Sequence, residues 1–200
     1  GFSREVICWA EDAMCNGAAP QIRGYLVDRQ YERLSPSYGL PWLGGLDDYI
    51  SEPGDTCLLA VSDPAIKRQM VRRLQARGAT FSSLIHPSAV VARTALLGEG
   101  CIVCPHALVS ADVVLGDFIT VNAMSSIGHD SRVGAYSTLS GHVDITGGVT
   151  VAESVFFGSG ARVLPGLGVG HEAKVGAGAV VMRSVQAGVT VYTSPARKLC

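Results

Sequence analysis

The 200-residue sequence contains five histidines, His86, His106, His129, His142 and His171, and six cysteines. These are the side chains with the richest chemistry. The reference pKa of histidine, about 6.5, lets a neutral imidazole take up a proton near neutral pH. His129 is followed by a carboxylate, Asp130, in Ile127-Gly-His-Asp-Ser-Arg132, and His142 lies thirteen residues further on. A solitary histidine on a repeat is usually a surface side chain, so the weight of His129 depends on its frame. His86 precedes a proline and is expected to fix a turn, while His106 and His171 read as surface or corner residues. Cys101-Ile-Val-Cys104 has redox-motif spacing, but Cys101 falls on an inward position of the repeat described next. Reduced thiols and a cytoplasmic protein are therefore expected. No closely spaced pair of metal ligands is found, and no metal is expected.

The frame of these residues is a period of six. Aliphatic or aromatic residues recur without a break from Val91 through Leu97, Val103, Val109 and onward to Val175 and Val181, and Ile85 extends the series backwards. Four places after each stands a small or apolar residue, such as Ala107, Ser125, Ser131 or Ala161, and the place directly after is often glycine, as at Gly116 or Gly128. Six matches neither a helix nor a hairpin array. It suits short strands joined by tight corners, with one large and one small inward residue per strand and glycine easing the corners. Three faces make an 18-residue coil, and five coils give a prism on the order of 24 Å tall. The second half is also poor in charge: residues 85–200 hold 14 of the 33 charged side chains and 16 of the 24 glycines. A net charge of −1 gives no electrostatic footprint for nucleic acid. No apolar run is long enough to span a membrane.

Residues 1–84 alternate strand and helix signals. Gln21–Asp28 and Thr56–Ser62 read as buried strands, and Phe81–Ile85 as a short one. Between the last two lies a helix with Asp63 as N-cap, Pro64 in the first turn, Ile66, Met70 and Leu74 on one face, and Gly78 past its end. Lys67, Arg68, Arg72, Arg73 and Arg77 mark the other face as solvated, or as facing an anionic substrate near the helix start. Gly1-Phe-Ser-Arg-Glu-Val6 looks like the tail of a Gly-rich turn between strand and helix, with the preceding strand outside this sequence.

Gly24-Tyr-Leu-Val-Asp28, Leu59-Ala-Val-Ser-Asp63, Leu84-Ile-His-Pro-Ser-Ala89, the hexads around His129 and Ser194-Pro-Ala-Arg197 together resemble one family over nearly the whole chain. It is the sugar O- and N-acyltransferase family, which includes sialic acid O-acetyltransferases and acetyltransferases of nucleotide-linked 4-amino sugars. The resemblance implies an α/β plus all-β fold: a small Rossmann-like N-terminal domain (residues 1–84) binding the sugar nucleotide, then a left-handed parallel β-helix (residues 85–200) binding acetyl-CoA. It also implies a homotrimer and a small-molecule sugar substrate used for surface glycans. The activity implied is acetyl-CoA-dependent N-acetylation, with sugar O-acetylation and a non-catalytic scaffold as alternatives.

By the same resemblance His129 is the general base, Asp130 its partner, and the Gly147 N–H the donor to the thioester carbonyl, one coil above the histidine. Adjacent residues of a strand point to opposite sides, so a direct His129–Asp130 pair requires a corner or a neighbouring subunit. Asn122 matches a sugar-contacting position and equally suits a plain corner. Phe2, Ser3, Asp28, Arg29, Ser62 and Asp63 fall where the family holds its sugar nucleotide. Phe2, Arg29 and Ser62 depart from the common histidine, aspartate and glycine there and leave the nucleotide open. Gly158, Ser159, Gly160, Ala161, Gly176, Ala177, Gly178 and Arg197 match the stretches along which the coenzyme lies.

Overall fold

The computed structural model describes residues 1–17 and 21–194. The six-residue period becomes a parallel β-helix. From Leu84 to Val181 each two-residue strand pairs with the strand eighteen residues on, Ser126 with Asp144 and Ile127 with Ile145, so three strands complete a coil; the last rung of all closes after sixteen, Lys174 with Thr190. Sheet I stacks seven strands: Leu84–Ile85, Ile102–Val103, Thr120–Val121, Thr138–Leu139, Phe156–Phe157, Lys174–Val175 and Thr190–Val191. Sheet II stacks six, from Val90–Val91 through Ser126–Ile127 to Val180–Val181, and sheet III five, from Leu96–Leu97 through Arg132–Val133 to Gly168–Val169. The prism is thus taller than five coils at two faces: the hexads themselves give sheet II a sixth strand, and in sheet I Leu84–Ile85 and Thr190–Val191 add a rung at each end. At about 4.8 Å per rung, sheet I rises roughly 29 Å.

The inward series is the core. Val109, Ile127, Leu139, Ile145, Phe157 and Val163 are fully buried, with Ala107, Val113, Ile119 and Ala161 beside them. Three of the small inward residues are serines, and each is doubly satisfied. Ser131 Oγ donates to the Thr146 carbonyl at 2.9 Å and accepts from Val149 N at 3.1 Å; Ser125 and Ser137 repeat the pattern one face before and after. A buried hydroxyl with both roles filled avoids the cost of an orphaned polar group.

The corners work differently from the sequence expectation. Left-handed backbone recurs every six residues three places after the large inward residue, at Gly100, His106, Asp112, Phe118, Met124, Asp130, Tyr136 and His142, with φ near +60°. The glycines directly after the large residues answer a different need. A Cβ on Gly128 would lie 2.6 Å from Gly147 N in the next coil, so glycine is required there by close stacking of backbones.

The N-terminal unit comprises helix α1 (Phe2–Cys15), helix α2 (Pro64–Gln75) and a parallel pair, β1 (Tyr25–Leu26) and β2 (Trp42–Gly44). Its strands are shorter than the apolar runs predicted: residues 56–62 make a single bridge, Cys57 to Phe81, and Leu84–Ile85 joins sheet I as its first rung. A run of apolar residues becomes a ladder only where a neighbour pairs with it. Asp63 caps α2 as expected, its Oδ1 accepting from Ala65 N at 2.9 Å and Ile66 N at 3.0 Å. The buried line of α2 is nevertheless rotated by one residue. Val71, Leu74 and Lys67 are buried and Ile66 is half exposed, because the helix lies between its own unit and the β-helix. The basic face is accordingly not a free one: Arg68 and Arg73 are paired, and Lys67 is enclosed. Val6, Ala10 and Ala13 of α1 pack against Leu84, Ile102 and Cys104 of sheet I, while Val71 and Leu74 share a cluster with Phe81 and Phe118.

Candidate active site

His129 and Asp130 occupy the corner between sheets II and III. At this corner the left-handed Asp130 (φ 61°) turns its carboxylate back toward the preceding ring, and His129 Nδ1 lies 2.7 Å from Asp130 Oδ2. The corner is what permits direct contact between adjacent side chains. Both are largely exposed. With Nδ1–H donating to the carboxylate, Nε2 carries the lone pair. One coil above stands Gly147. A Cβ built there would sit 2.7 Å from Nε2 and 2.8 Å from Cε1 of His129, so only hydrogen leaves this side of the ring open. The local ladder is kept by Gly148 N, which donates to the His129 carbonyl at 2.8 Å, and by the Gly147 carbonyl, which accepts from Gly166 N at 3.1 Å. Among the described residues, no hydrogen bond uses the Gly147 N–H. Leu164 and Met182, two and three coils above Gly128 on the same edge, are exposed and apolar. As outward residues next to the large inward positions, they carry no mark in the hexad pattern.

The remaining β-helix candidates share another edge. Asn122, Gly158 to Ala161 and Gly176 to Gly178 all follow strands of sheet I and stack at the corner between sheets I and II, with His142 among them. Asn122 Oδ1 accepts from Ala123 N at 2.7 Å. One face separates this edge from His129; six extended residues span roughly 20 Å. The structure therefore does not bring His129 together with Asn122, His142 or the glycine-rich stretches within one chain. Arg197 lies outside the described residues. His86 does fix the turn into the β-helix: its Nδ1 accepts from Ser88 N at 3.1 Å. A second histidine–carboxylate pair was missed, His171 with Glu172 at 3.2 Å, on the edge between sheets III and I. Adjacency at a left-handed corner generates such pairs by backbone geometry alone. Cys101 and Cys104 are buried, and burial pushes their thiols up to about 11 and about 12, which suits core packing and opposes redox chemistry.

In the N-terminal unit the candidates are spread over three places. Asp28 and Arg29 line a cleft of about 290 Å³ with Gln30, Gly45, Asp48 and Arg73. The Asp28 carboxylate is engaged, with Arg73 Nη1 at 2.8 Å and Leu46 N at 2.9 Å, and Arg73 also holds Asp47 at 2.7 Å. The Arg73 guanidinium keeps the Asp28 carboxyl below the usual carboxylate range. Ser3 lines a separate apolar groove of about 410 Å³, between α1 and the extended segments around Leu26 and Leu58. The Phe2 ring packs edge-on against Trp9 at 5.9 Å, and Asp63 is occupied as the α2 cap, next to half-buried Ser62. Among the described residues no group of histidine, cysteine or acidic side chains could hold a metal ion, and no helix is long and apolar enough to cross a membrane.

A parallel β-helix of six-residue repeats, with a small α/β unit docked on one sheet and a histidine–carboxylate pair at a corner, defines the hexapeptide-repeat acyltransferase class. Comparison with known proteins narrows the class. No protein-family model matches the chain. A perosamine N-acetyltransferase from Caulobacter crescentus, solved in complex with CoA and GDP-perosamine, shares 31% identity at a TM-score of 0.84, with 98% of this chain and 93% of that one covered. The acetyltransferase domain of PglB from Neisseria gonorrhoeae shares 30% identity, also at 0.84, over 100% and 97% of the two chains. GDP-perosamine N-acetyltransferase from Escherichia coli O157:H7 is 31% identical over 147 residues, covering 70% of this chain and 66% of its own length. The chain belongs to this family of sugar N-acetyltransferases.

Proposed function

We propose that the protein transfers the acetyl group of acetyl-CoA to the amine of a nucleotide-linked amino sugar, with His129 as general base. The observation that carries the reading is the stacking of Gly147 on the His129–Asp130 pair. Asp130 holds the imidazole with Nε2 free, and the side-chain-free glycine leaves room beside it for a thioester carbonyl within reach of the Gly147 N–H. The amine attacks the carbonyl carbon as Nε2 takes its proton, the oxyanion forms against the N–H, and its collapse expels the CoA thiolate, which recovers the proton. Acetyl-CoA is a substrate here, and the edge that exposes Leu164 and Met182 offers an apolar surface to the methylene groups of its pantetheine arm.

Because Asn122 and the glycine-rich stretches lie one face away from His129, a complete site requires an edge from each of two copies. A homotrimer, with the edge between sheets II and III of one copy facing the edge between sheets I and II of the next, supplies both. The outward apolar side chains Val90, Leu96 and Leu108 on sheets II and III favour such packing. The N-terminal unit, residues 1–84, is read as a Rossmann-like domain for the sugar nucleotide. An apolar groove between α1, β1 and residues 57–61, lined by Val6, Ile7, Leu26, Leu58 and Leu59, belongs to this unit, and Asp28 and Ser62 follow its extended segments. GDP-perosamine, named for two of the relatives, makes a GDP-linked amino sugar the first acceptor to try.

The test is thiol release from acetyl-CoA with a panel of GDP-, UDP- and dTDP-linked amino sugars and hydroxyl-bearing counterparts. His129→Ala is expected to lower kcat by about 10³-fold while the oligomer and acetyl-CoA binding persist. Retention of parent turnover in that variant refutes the mechanism.

A further inference from the structure

Lys67 is 1% exposed, in a helix whose other basic residues reach solvent or a surface partner. Its Nζ crosses from α2 into sheet I and donates to the Phe118 carbonyl at 2.9 Å, Thr120 Oγ1 at 3.0 Å, Thr138 Oγ1 at 2.9 Å and, more weakly, the Ser137 carbonyl at 3.4 Å. Phe118 and Thr120 belong to one coil, Ser137 and Thr138 to the next. Among the described residues no carboxylate comes within ion-pair distance of it. Burial lowers its pKa to about 7, so the site works against the cation it holds.

A buried ammonium without a counter-ion is a poor way to glue two surfaces together; a lysine-sized apolar side chain would often serve as well or better. The seam already has such glue in Val71, Leu74, Phe81 and Phe118. What apolar contacts lack is direction, since they tolerate sliding. An ammonium held by oxygens from two rungs about 4.8 Å apart is fixed along the stack and across it. Arg68 extends the clamp to the next coils: it donates to Ser154 Oγ at 2.6 Å, lies over the Tyr136 ring at 5.2 Å and approaches Glu172 at 3.9 Å.

We infer that Lys67 is a positioning residue for acetyl transfer, fixing the unit that holds the acceptor sugar in register with the coils that hold the thioester. This rests on the acetyltransferase reading above, in which the two substrates are bound by different parts of the chain. Misplacing reacting groups by about 1 Å costs on the order of 10²-fold in rate, while neither binding site need change.

Lys67→Met keeps the volume and removes the four bonds, and the Thr120→Val/Thr138→Val double variant removes two acceptors without touching the lysine. Each is assayed for kcat and, by calorimetry, for the affinities of acetyl-CoA and the nucleotide sugar separately. The expected result for Lys67→Met is a kcat at least about 10-fold lower with both affinities within about 2-fold of the parent, and a smaller loss in the same pattern for the double variant. A merely structural role would lower the folded fraction and leave kcat per folded molecule intact, and that outcome overturns the inference. If Lys67→Met does not fold, the double variant decides alone. Crystal structures of the variants read the same point without turnover: α2 is expected to shift against sheet I by about 1 Å, and an unchanged placement refutes the inference. A parent protein that acetylates no amino sugar refutes the acetyltransferase reading alone; the shift of α2 then still decides whether Lys67 sets the register.

Discussion

Replacing Gly147 with alanine asks whether the space above His129 matters to the chemistry or only to the fold. The backbone at Gly147 is not left-handed, so alanine is conformationally acceptable there. The new Cβ would lie 2.7 Å from His129 Nε2, whereas an ordinary contact needs about 3.5 Å, so one of the two must yield by roughly 0.8 Å. The imidazole is the softer partner, being exposed and hinged at χ1, and moving it stretches the 2.7 Å bond to Asp130. The variant should keep its melting temperature within a few degrees. Its kcat should fall about 10- to 100-fold, the loss that goes with misplacing a base by nearly 1 Å. Gly128→Ala is the matching control. Its Cβ would meet Gly147 N and the Thr146 carbonyl carbon, both at 2.6 Å, in backbone that cannot swing aside. That variant should lose stability by about 2–3 kcal/mol, in the range of an overpacked core. Thiol-release kinetics beside thermal denaturation separate the two. Parent kcat in Gly147→Ala, or a loss of activity that merely follows unfolding, would refute the reasoning.

Two further outcomes follow from the packing. Alkylation of the native protein at pH 8, mapped by mass spectrometry, should modify exposed Cys8 and Cys15 and spare Cys101 and Cys104, whose buried thiols are pushed to about 11 and about 12; labelling of Cys101 at the rate of Cys8 would contradict the burial. Arg73→Gln should destabilise the N-terminal unit by about 1–2 kcal/mol at pH 7. Because Arg73 depresses the folded-state pKa of Asp28, this contribution is complete above the reference aspartate pKa of about 3.9 and is lost as the pH falls through the lower folded value. The urea midpoints of parent and variant should therefore differ at pH 7 and converge as the pH falls through the lowered Asp28 value, and a gap independent of pH would exclude the ion pair as its source.

The parts of this molecule that repeat were legible in its sequence. A hexad places Val109, Ile127 and Ile145 inward whatever their neighbours are, and a coil of eighteen residues puts Gly147 over His129 by counting alone. The N-terminus of α2 was equally readable, because Asp63 and Pro64 act within one turn. What depends on the meeting of two parts was hidden. Lys67 stands in a basic stretch that reads as solvated, and only the docking of α2 on sheet I encloses it and exposes Ile66 instead. The strands of residues 21–62 are shorter than their apolar runs for the related reason that pairing is decided by a neighbour and not by the run itself. His129 and Asn122 are seven residues apart in sequence, yet a flat face makes them members of different edges.

At the corners, nine of the described residues other than glycine, among them His106, Phe118, Met124, Tyr136 and Glu172, adopt φ between 57° and 62°. Left-handed backbone ordinarily disfavours such side chains by about 1–2 kcal/mol each, so it is the ladder on either side that imposes the conformation. The backbone of an edge is thereby decoupled from the residues it carries. Each edge is a ruler graduated in coils: a histidine–carboxylate pair moved by eighteen residues would reappear in the same orientation about 4.8 Å along the prism. The depth at which a thioester is met, and with it the length of acyl chain or coenzyme arm that fits, can change in whole graduations while the interior stays as it is.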